Sequence, residues 1–375
     1  MSDNNMQRRE IVEDTPQYRS VMLAGPLSAP PMPRSFASLR PMKTAPRPVE
    51  KFSPAKTGSS VWKVDDIPAL PASYFLERSS AYVDGSAQDI ADRICECLRK
   101  ESIATSCDSD DKNLLHGETS DCLKFAVRLF TGEGKMIVEI QRKCGCSFQF
   151  REIARSLIRS AKGISQTTKR KFELPSCIPR QAPEMRQARA DAGFEVALRQ
   201  LSSQFVDSQL IGMESLEQMT RCESRTCISK KVLTGSCLSK VLEATQQSPS
   251  ALHSTLSEDH ESVIRRRAIT VLANALSASA ESGELQSVMD ESKMLKSESL
   301  INSLIETLRD ASTSPHEATQ SARCIQYLMT DKQVKMIIMK MSVESIVSEA
   351  CHFGESQSTL LERESKRLKL QLGSI

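Results

Sequence analysis

The chain has 375 residues, with 50 Lys plus Arg against 47 Asp plus Glu, a net charge of +3 at pH 7, 39% hydrophobic residues and 4% aromatics. That length holds two or three ordinary domains, and the apolar fraction is too high for a wholly disordered chain. Fourteen glycines exclude a collagen-like polymer, and twelve cysteines spread over so long a chain exclude a disulfide scaffold. The small net charge gives the whole molecule no strong pull on polyanions, so clustered charge is what matters. No window of about 18 uncharged apolar residues occurs, so no transmembrane segment is expected. The first residues carry Asp3, Glu10, Glu13 and Asp14 with no apolar run behind them, which fits neither a secretory signal nor a transit peptide. The cysteines are then expected as reduced thiols filling apolar positions in a cytoplasmic or nuclear protein.

Eleven of the sixteen prolines fall before residue 72, in stretches such as Gly25-Pro26 to Pro33 and Pro41 to Pro54. Such a segment cannot form a helix interior or a sheet ladder and offers few apolar residues to offset ordering. Residues 1–71 therefore read as a disordered, Pro-rich, mildly cationic arm. Trp62, the only tryptophan, stands near its end as a candidate anchor onto the folded part.

From residue 72 the pattern changes. Ala81-Tyr82-Val83 suggests a short strand, and Gly85-Ser86 a break. Ser86 with Asp89 three positions on forms a capping box, and Ile90, Ala91, Ile94, Cys97 and Leu98 recur at helical spacing, predicting a helix over about 86–100. Ile103-Ala104-Thr105 follows as a strand. Leu123, Phe125, Val127 and Leu129 alternate with Lys124, Ala126 and Arg128, and Met136, Val138 and Ile140 supply a partner across the Thr131 to Gly134 turn, so 122–142 reads as a hairpin. A helix over about 147–162 places Phe148, Ile153, Ala154, Leu157, Ile158 and Ala161 on one side. Strand, helix, three strands and helix make an α+β domain over 72–163, an antiparallel sheet with one face covered by two helices.

On the pattern Leu123-x-Phe125-x-Val127-x-Leu129, then Val138-x-Ile140-Gln141-Arg142 and Gly145 before Phe148 and Phe150, this segment resembles the kinase-associated C-terminal domain. The resemblance implies docking, since related modules bind acidic phospholipids or pack on regulatory domains of their own kinase. No glycine-rich phosphate loop, catalytic-loop Asp motif or DFG accompanies it here.

Residues 164–183 read as a basic, Pro-containing linker. Beyond it, 184–375 shows helical period almost throughout. Leu300 to Glu306 and Met341 to Ser348 carry matching apolar pairs with Ile305 and Val347 42 residues apart. Glu317 to Met329 and Thr359 to Leu372 follow them, with His260 to Leu276 as an earlier counterpart and 194–222 as a degenerate first copy. This period, and the Ala, Leu and Asn spacing of Arg267 to Asn274, resembles armadillo repeats. Each unit of such an array exposes an apolar face that only its neighbours bury, so the expected form is an all-α superhelical solenoid.

Between residues 140 and 172 lie Arg142, Lys143, Arg151, Arg155, Arg159, Lys162, Lys169, Arg170 and Lys171 against Glu152 alone. Arg151, Arg155, Arg159 and Lys162 fall on one helix face, where like charges repel by a few tenths of a kcal/mol per neighbouring pair. As a site, this face with Lys169, Arg170 and Lys171 would dock an anionic headgroup, a phosphorylated segment or an acidic peptide; the bland alternative is a solvated helix surface neutralised by the acidic Asp108-Ser109-Asp110-Asp111 loop or by the helical repeats. In the armadillo resemblance, Arg265, Arg266 and Asn274 are the peptide-groove candidates, with Asn274 as a backbone clamp; Leu328 in place of Asn in the next unit and the absence of Trp from 184–375 depart from the family pattern. Cys144-Gly145-Cys146 and Cys95-x-Cys97 lack the framework of a zinc module, and the five histidines form no nucleophile–base pair. No metal, cofactor or catalytic residue is assigned. Nucleic acid is disfavoured as a partner because no stacking aromatics interleave with the basic cluster. The expected function is a non-catalytic adaptor or scaffold that binds protein partners, with a peripheral membrane-associated regulator on anionic phospholipid as the alternative.

Overall fold

The computed structural model of the chain describes residues 62–64, 66–107, 111–164, 183–221, 225–246 and 255–373. Residues 1–61 of the expected arm and 165–182 of the expected linker, with Lys169, Arg170 and Lys171, lie outside them. The part of the arm that is described belongs to the folded structure. Trp62 is 1% exposed, its Nε1 donates to the Lys112 carbonyl at 2.9 Å, and Leu70 and Pro68 exchange backbone hydrogen bonds with Thr131. Trp62 is the anchor, and described residues between 62 and 71, which the proline pattern assigns to the arm, pack with the module.

The first half follows the order β1 (Ser80–Val83), α1 (Ala87–Lys100), β2 (Ala104–Cys107), β3 (Leu114–Glu118), β4 (Lys124–Gly132), β5 (Lys135–Cys144) and α2 (Ser147–Ala161). Every strand pairing is antiparallel, in the order β1-β5-β4-β3-β2, with Val127 opposite Ile140 and Leu129 opposite Val138. Ser86 caps α1 through the Asp89 amide, as its spacing predicts. β3 is an addition to the expected order. Its sequence, Leu-Leu-His-Gly-Glu, has no alternation, and Gly117 is there because a Cβ would strike the Phe125 ring on β4.

Helices α1 and α2 pack on each other and on one sheet face, where Ile90, Ile94, Leu98 and Leu157 meet Phe125, Val127, Leu129, Val138 and Ile140. The opposite face is not simply solvated. Ala126 and Ile137 are fully buried, Phe130 meets Tyr74 at 5.3 Å between ring centres, and Glu139 is buried while accepting hydrogen bonds from Tyr74, Gln141 and the Glu77 amide.

The second half is helical throughout its described residues: α3 (Pro183–Leu201), α4 (Val206–Arg221), α5 (Arg225–Leu233), α6 (Ser236–Gln246), α7 (Thr255–Glu281), α8 (Leu285–Glu291), α9 (Glu298–Arg309), α10 (Pro315–Leu328), α11 (Lys332–Lys340), α12 (Glu344–Gln357) and α13 (Thr359–Gly373), with a 3-10 turn at Lys293–Lys296. A short, an intermediate and a longer helix succeed one another three times: 9, 11 and 27 residues in α5 to α7; 7, 12 and 14 in α8 to α10; 9, 14 and 15 in α11 to α13. The longer helices pack in series, α4 on α7, α7 on α10 and α10 on α13, and the intermediate ones do likewise, α6 on α9 and α9 on α12. Small residues let the axes approach: Ala268, Ala273 and Ala275 of α7 and Ala318 and Ala322 of α10 are all fully buried. Ile305 and Val347, equivalent in the sequence comparison, are both core residues.

Candidate functional site

Helix α2 is the most strongly two-faced basic element. Ala154, Leu157 and Ala161 are buried against the module, whereas Arg151, Arg155, Arg159 and Lys162 are all exposed. Among the described residues none of these four cations forms an ion pair or hydrogen bond. Among the described residues the stripe thus has no ion-paired counter-charge, and its like charges repel one another. Phe148 was expected on the buried side and is instead 80% exposed. The physical reason is register: steps of three, four, four and three residues carry Phe148 along the line of Arg151, Arg155, Arg159 and Lys162, on the solvent side. Ile164, 53% exposed, follows two residues after Lys162.

The peptide-groove candidates Arg265, Arg266 and Asn274 all lie on α7, and each is engaged within the chain. Arg265 of α7 donates from Nη2 to Thr307 Oγ1 of α9 at 2.9 Å, and Arg266 turns to the α+β module. Asn274 accepts at Oδ1 from Arg323 of α10 at 3.4 Å, while its Nδ2 is buried without a hydrogen-bond partner and presents no donor to solvent.

A cluster that the sequence does not signal joins the module to the helices. Glu118, the last residue of β3, accepts from Arg266 Nη1 at 2.6 Å, and its backbone carbonyl lies 2.9 Å from His316 Nε2 at the start of α10. Asp121, in the turn between β3 and β4, pairs with Arg221 of α4 at 3.0 Å. Behind these contacts Arg266 approaches Glu317 at 3.7 Å, and Glu217 binds Arg221 at 2.6 Å and Arg267 at 2.9 Å. Burial holds the Glu217 and Glu317 carboxyls above the ordinary carboxylate value, with the neighbouring arginines opposing that shift. A second set of contacts lies at α13: Ser102 Oγ accepts from the Leu360 amide at 2.9 Å, Thr359 donates to the Lys100 carbonyl at 3.2 Å, and Arg99 meets Glu362 at 3.5 Å. Partners such as Glu118 and Arg266 are 148 residues apart, so no local pattern marks them.

Of the ten described thiols, Cys97, Cys237, Cys324 and Cys351 are buried, and burial pushes Cys237 and Cys324 up to about 12. Cys107, Cys144, Cys146 and Cys227 are exposed, so the expectation of apolar filling holds for only part of the set. Among the described residues no group of three or more His, Cys, Asp or Glu side chains is placed to hold a metal ion. A concavity beside α11, α12 and α13, lined by Ile338, Met339, Val343 and Leu372, brings in one ionisable side chain, Glu344. Among the described residues no helix is long and apolar enough to cross a membrane.

No family model, curated protein or solved structure matches this chain. Two charged features stand out among the described residues: the exposed cations of α2, and the paired ones at the module–helix seam.

Proposed function

We propose that the protein is a non-catalytic adaptor: an α+β docking module joined to an armadillo-like stack of three-helix units, recognising an anionic partner through the exposed face of α2. The observation that carries this reading is the exposed line of Arg151, Arg155, Arg159 and Lys162, without an ion pair among the described residues, on a helix whose other face is fixed in a core. A helix so anchored sets the spacing of its cations at the backbone, so binding has to order their side chains but not the element that carries them. The helical succession and the serial packing of α7, α10 and α13 support the stack, whose faces would take protein partners.

A second reading, a peripheral regulator on an anionic membrane, is favoured by one specific feature, the exposed Phe148 in line with the cations. An aromatic ring entering the headgroup region adds apolar burial to about 1 kcal/mol per cation near the surface. Capture and vesicle sedimentation with the wild type and with Arg155→Glu/Arg159→Glu test both. A protein partner recovered by the wild type and lost in the variant, with no sedimentation on phosphatidylserine vesicles, supports the adaptor. Salt-sensitive sedimentation lost in the variant and in Phe148→Ala supports the membrane reading. Binding of either kind that survives the double substitution removes α2 from the function.

A further inference from the structure

We propose that the surface around Arg221, Arg266 and His316 on the helical layers is a binding site for an acidic peptide, and that the module's own β3–β4 turn occupies it in cis. The proposal deepens the adaptor reading and rests on it, naming the partner chemistry of the helical surface.

Three observations converge. First, the two apolar cores share no residue: one runs from Trp62 to Ala161 and the other from Phe194 to Leu372, and the partly buried apolar side chains packed on each belong to the same half. The seam is made by ion pairs and hydrogen bonds, including Glu118–Arg266, Asp121–Arg221 and the Glu118 carbonyl on His316. Such contacts are exchanged for water on opening with little net change, whereas an apolar seam would be far harder to part. Secondly, the turn is self-sufficient. The Thr119 amide donates to the Leu123 carbonyl, the Cys122 amide donates to the Thr119 carbonyl, and Thr119 Oγ1 accepts from the Leu123 amide. The backbone that carries Glu118 and Asp121 is therefore held by β3, β4 and the turn, and Gln149 of α2 donates to Asp121 Oδ2 at 3.3 Å, all without help from α3 to α13. Thirdly, the receiving side places carboxylates of its own behind the guanidinium groups: Glu317 lies 3.7 Å from Arg266 Nε, and Glu217 holds Arg221 at 2.6 Å. The cis turn adds the acidic charges that these guanidinium groups still face across the seam, together with a main-chain carbonyl for His316. An acidic segment of a partner offers the same carboxylates and carbonyls.

Tethered in the same chain, the turn acts at an effective concentration of order mM, so a free peptide competes poorly with the wild type. The test uses Glu118→Lys/Asp121→Lys and a labelled synthetic peptide of this chain's residues 116–123 with Ser in place of Cys122. In the variant, amide exchange of 315–320 is expected to accelerate at least tenfold, with both cores still folded by circular dichroism. The peptide should bind the variant at least tenfold tighter than the wild type, and lose that binding on addition of Arg266→Gln. Should the lysine variant fail to fold, Glu118→Gln/Asp121→Asn gives the same changes at smaller amplitude. Unchanged exchange in both variants overturns the latch. Accelerated exchange without peptide binding overturns the acidic-peptide site, while leaving the α2 tests of the adaptor reading untouched.

Discussion

At the scale of single residues, Trp62 and His316 connect parts of the chain that sequence distance keeps apart. Trp62 contributes the largest buried side chain of the module core and satisfies the Lys112 carbonyl. Its replacement by Ala removes packing and leaves that acceptor without the indole N–H, so a loss of about 3–5 kcal/mol is expected in urea titration. Trp62→Phe keeps most of the ring contact and should cost less than half as much; equal costs would mean the indole hydrogen bond dominates. His316 sets a pH dependence. Burial pushes it below 6.5, the charge of Arg266 acts in the same direction, and the Glu118 carbonyl opposes. The unfolded chain then binds the proton more readily than the folded one, so this group's contribution is fully present above 6.5 and is lost as pH falls from there through the lowered folded value. Glu217 and Glu317, raised above 4.5 by burial, act with the opposite sign, their contribution fading as pH rises through their folded values. His316→Gln isolates the imidazole, because the amide retains a donor for Glu118. The stability gap between wild type and variant should narrow as pH drops below 6.5; parallel curves would refute the assignment.

At the scale of elements, α2 and α12 make opposed demands on sequence. In α2, Arg155→Glu/Arg159→Glu replaces like-charge neighbours of Arg151 and Lys162 with attractive ones, so at low salt the melting temperature should hold or rise slightly while anionic binding is lost. Leu157→Ala on the buried face should instead cost about 2–5 kcal/mol. In α12, Gly354 lies against the backbone of Glu362 on α13, whose Cα would be 2.7 Å from an added Cβ. Helix propensity favours Ala there by about 1 kcal/mol, yet the clash involves main chain that cannot turn aside. Gly354→Ala should therefore destabilise; a stabilised variant would show that the α12–α13 crossing is loose. The same contrast explains what the sequence makes legible. Periodicity finds α1, α2, β4, β5, α9, α10, α12 and α13, because each buries a regular stripe. It misses β3, whose five residues include a glycine dictated by the Phe125 ring of another strand. It places Phe148 on the wrong side because an aromatic at the helix start reads as core. The basic stripe is visible because spacing alone defines it; the seam is not, because its charges meet only through the tertiary fold.

At the scale of the whole molecule, the division into two apolar cores has a thermodynamic consequence. Cooperativity between parts of a chain comes from shared burial, and here the shared surface is polar, with Glu118–Arg266, Asp121–Arg221, Ser102–Leu360 and Arg99–Glu362 as its named contacts. Such contacts carry modest net free energy, since each group regains water when they break. The two halves should then respond to denaturant as separate units rather than as one two-state system. The chain provides its own discriminating probes. Trp62 is the only tryptophan and lies in the module core, so its emission follows that half, whereas far-UV ellipticity is dominated by α3 to α13. In urea the two signals should show non-coincident midpoints, each with a slope smaller than the whole chain would give. Glu118→Lys/Asp121→Lys should separate them further by removing what coupling the seam supplies. Coincident transitions with a single large slope, unchanged in that variant, would mean that the polar seam transmits as much cohesion as a shared core, and that the module does not part from the helices short of global unfolding.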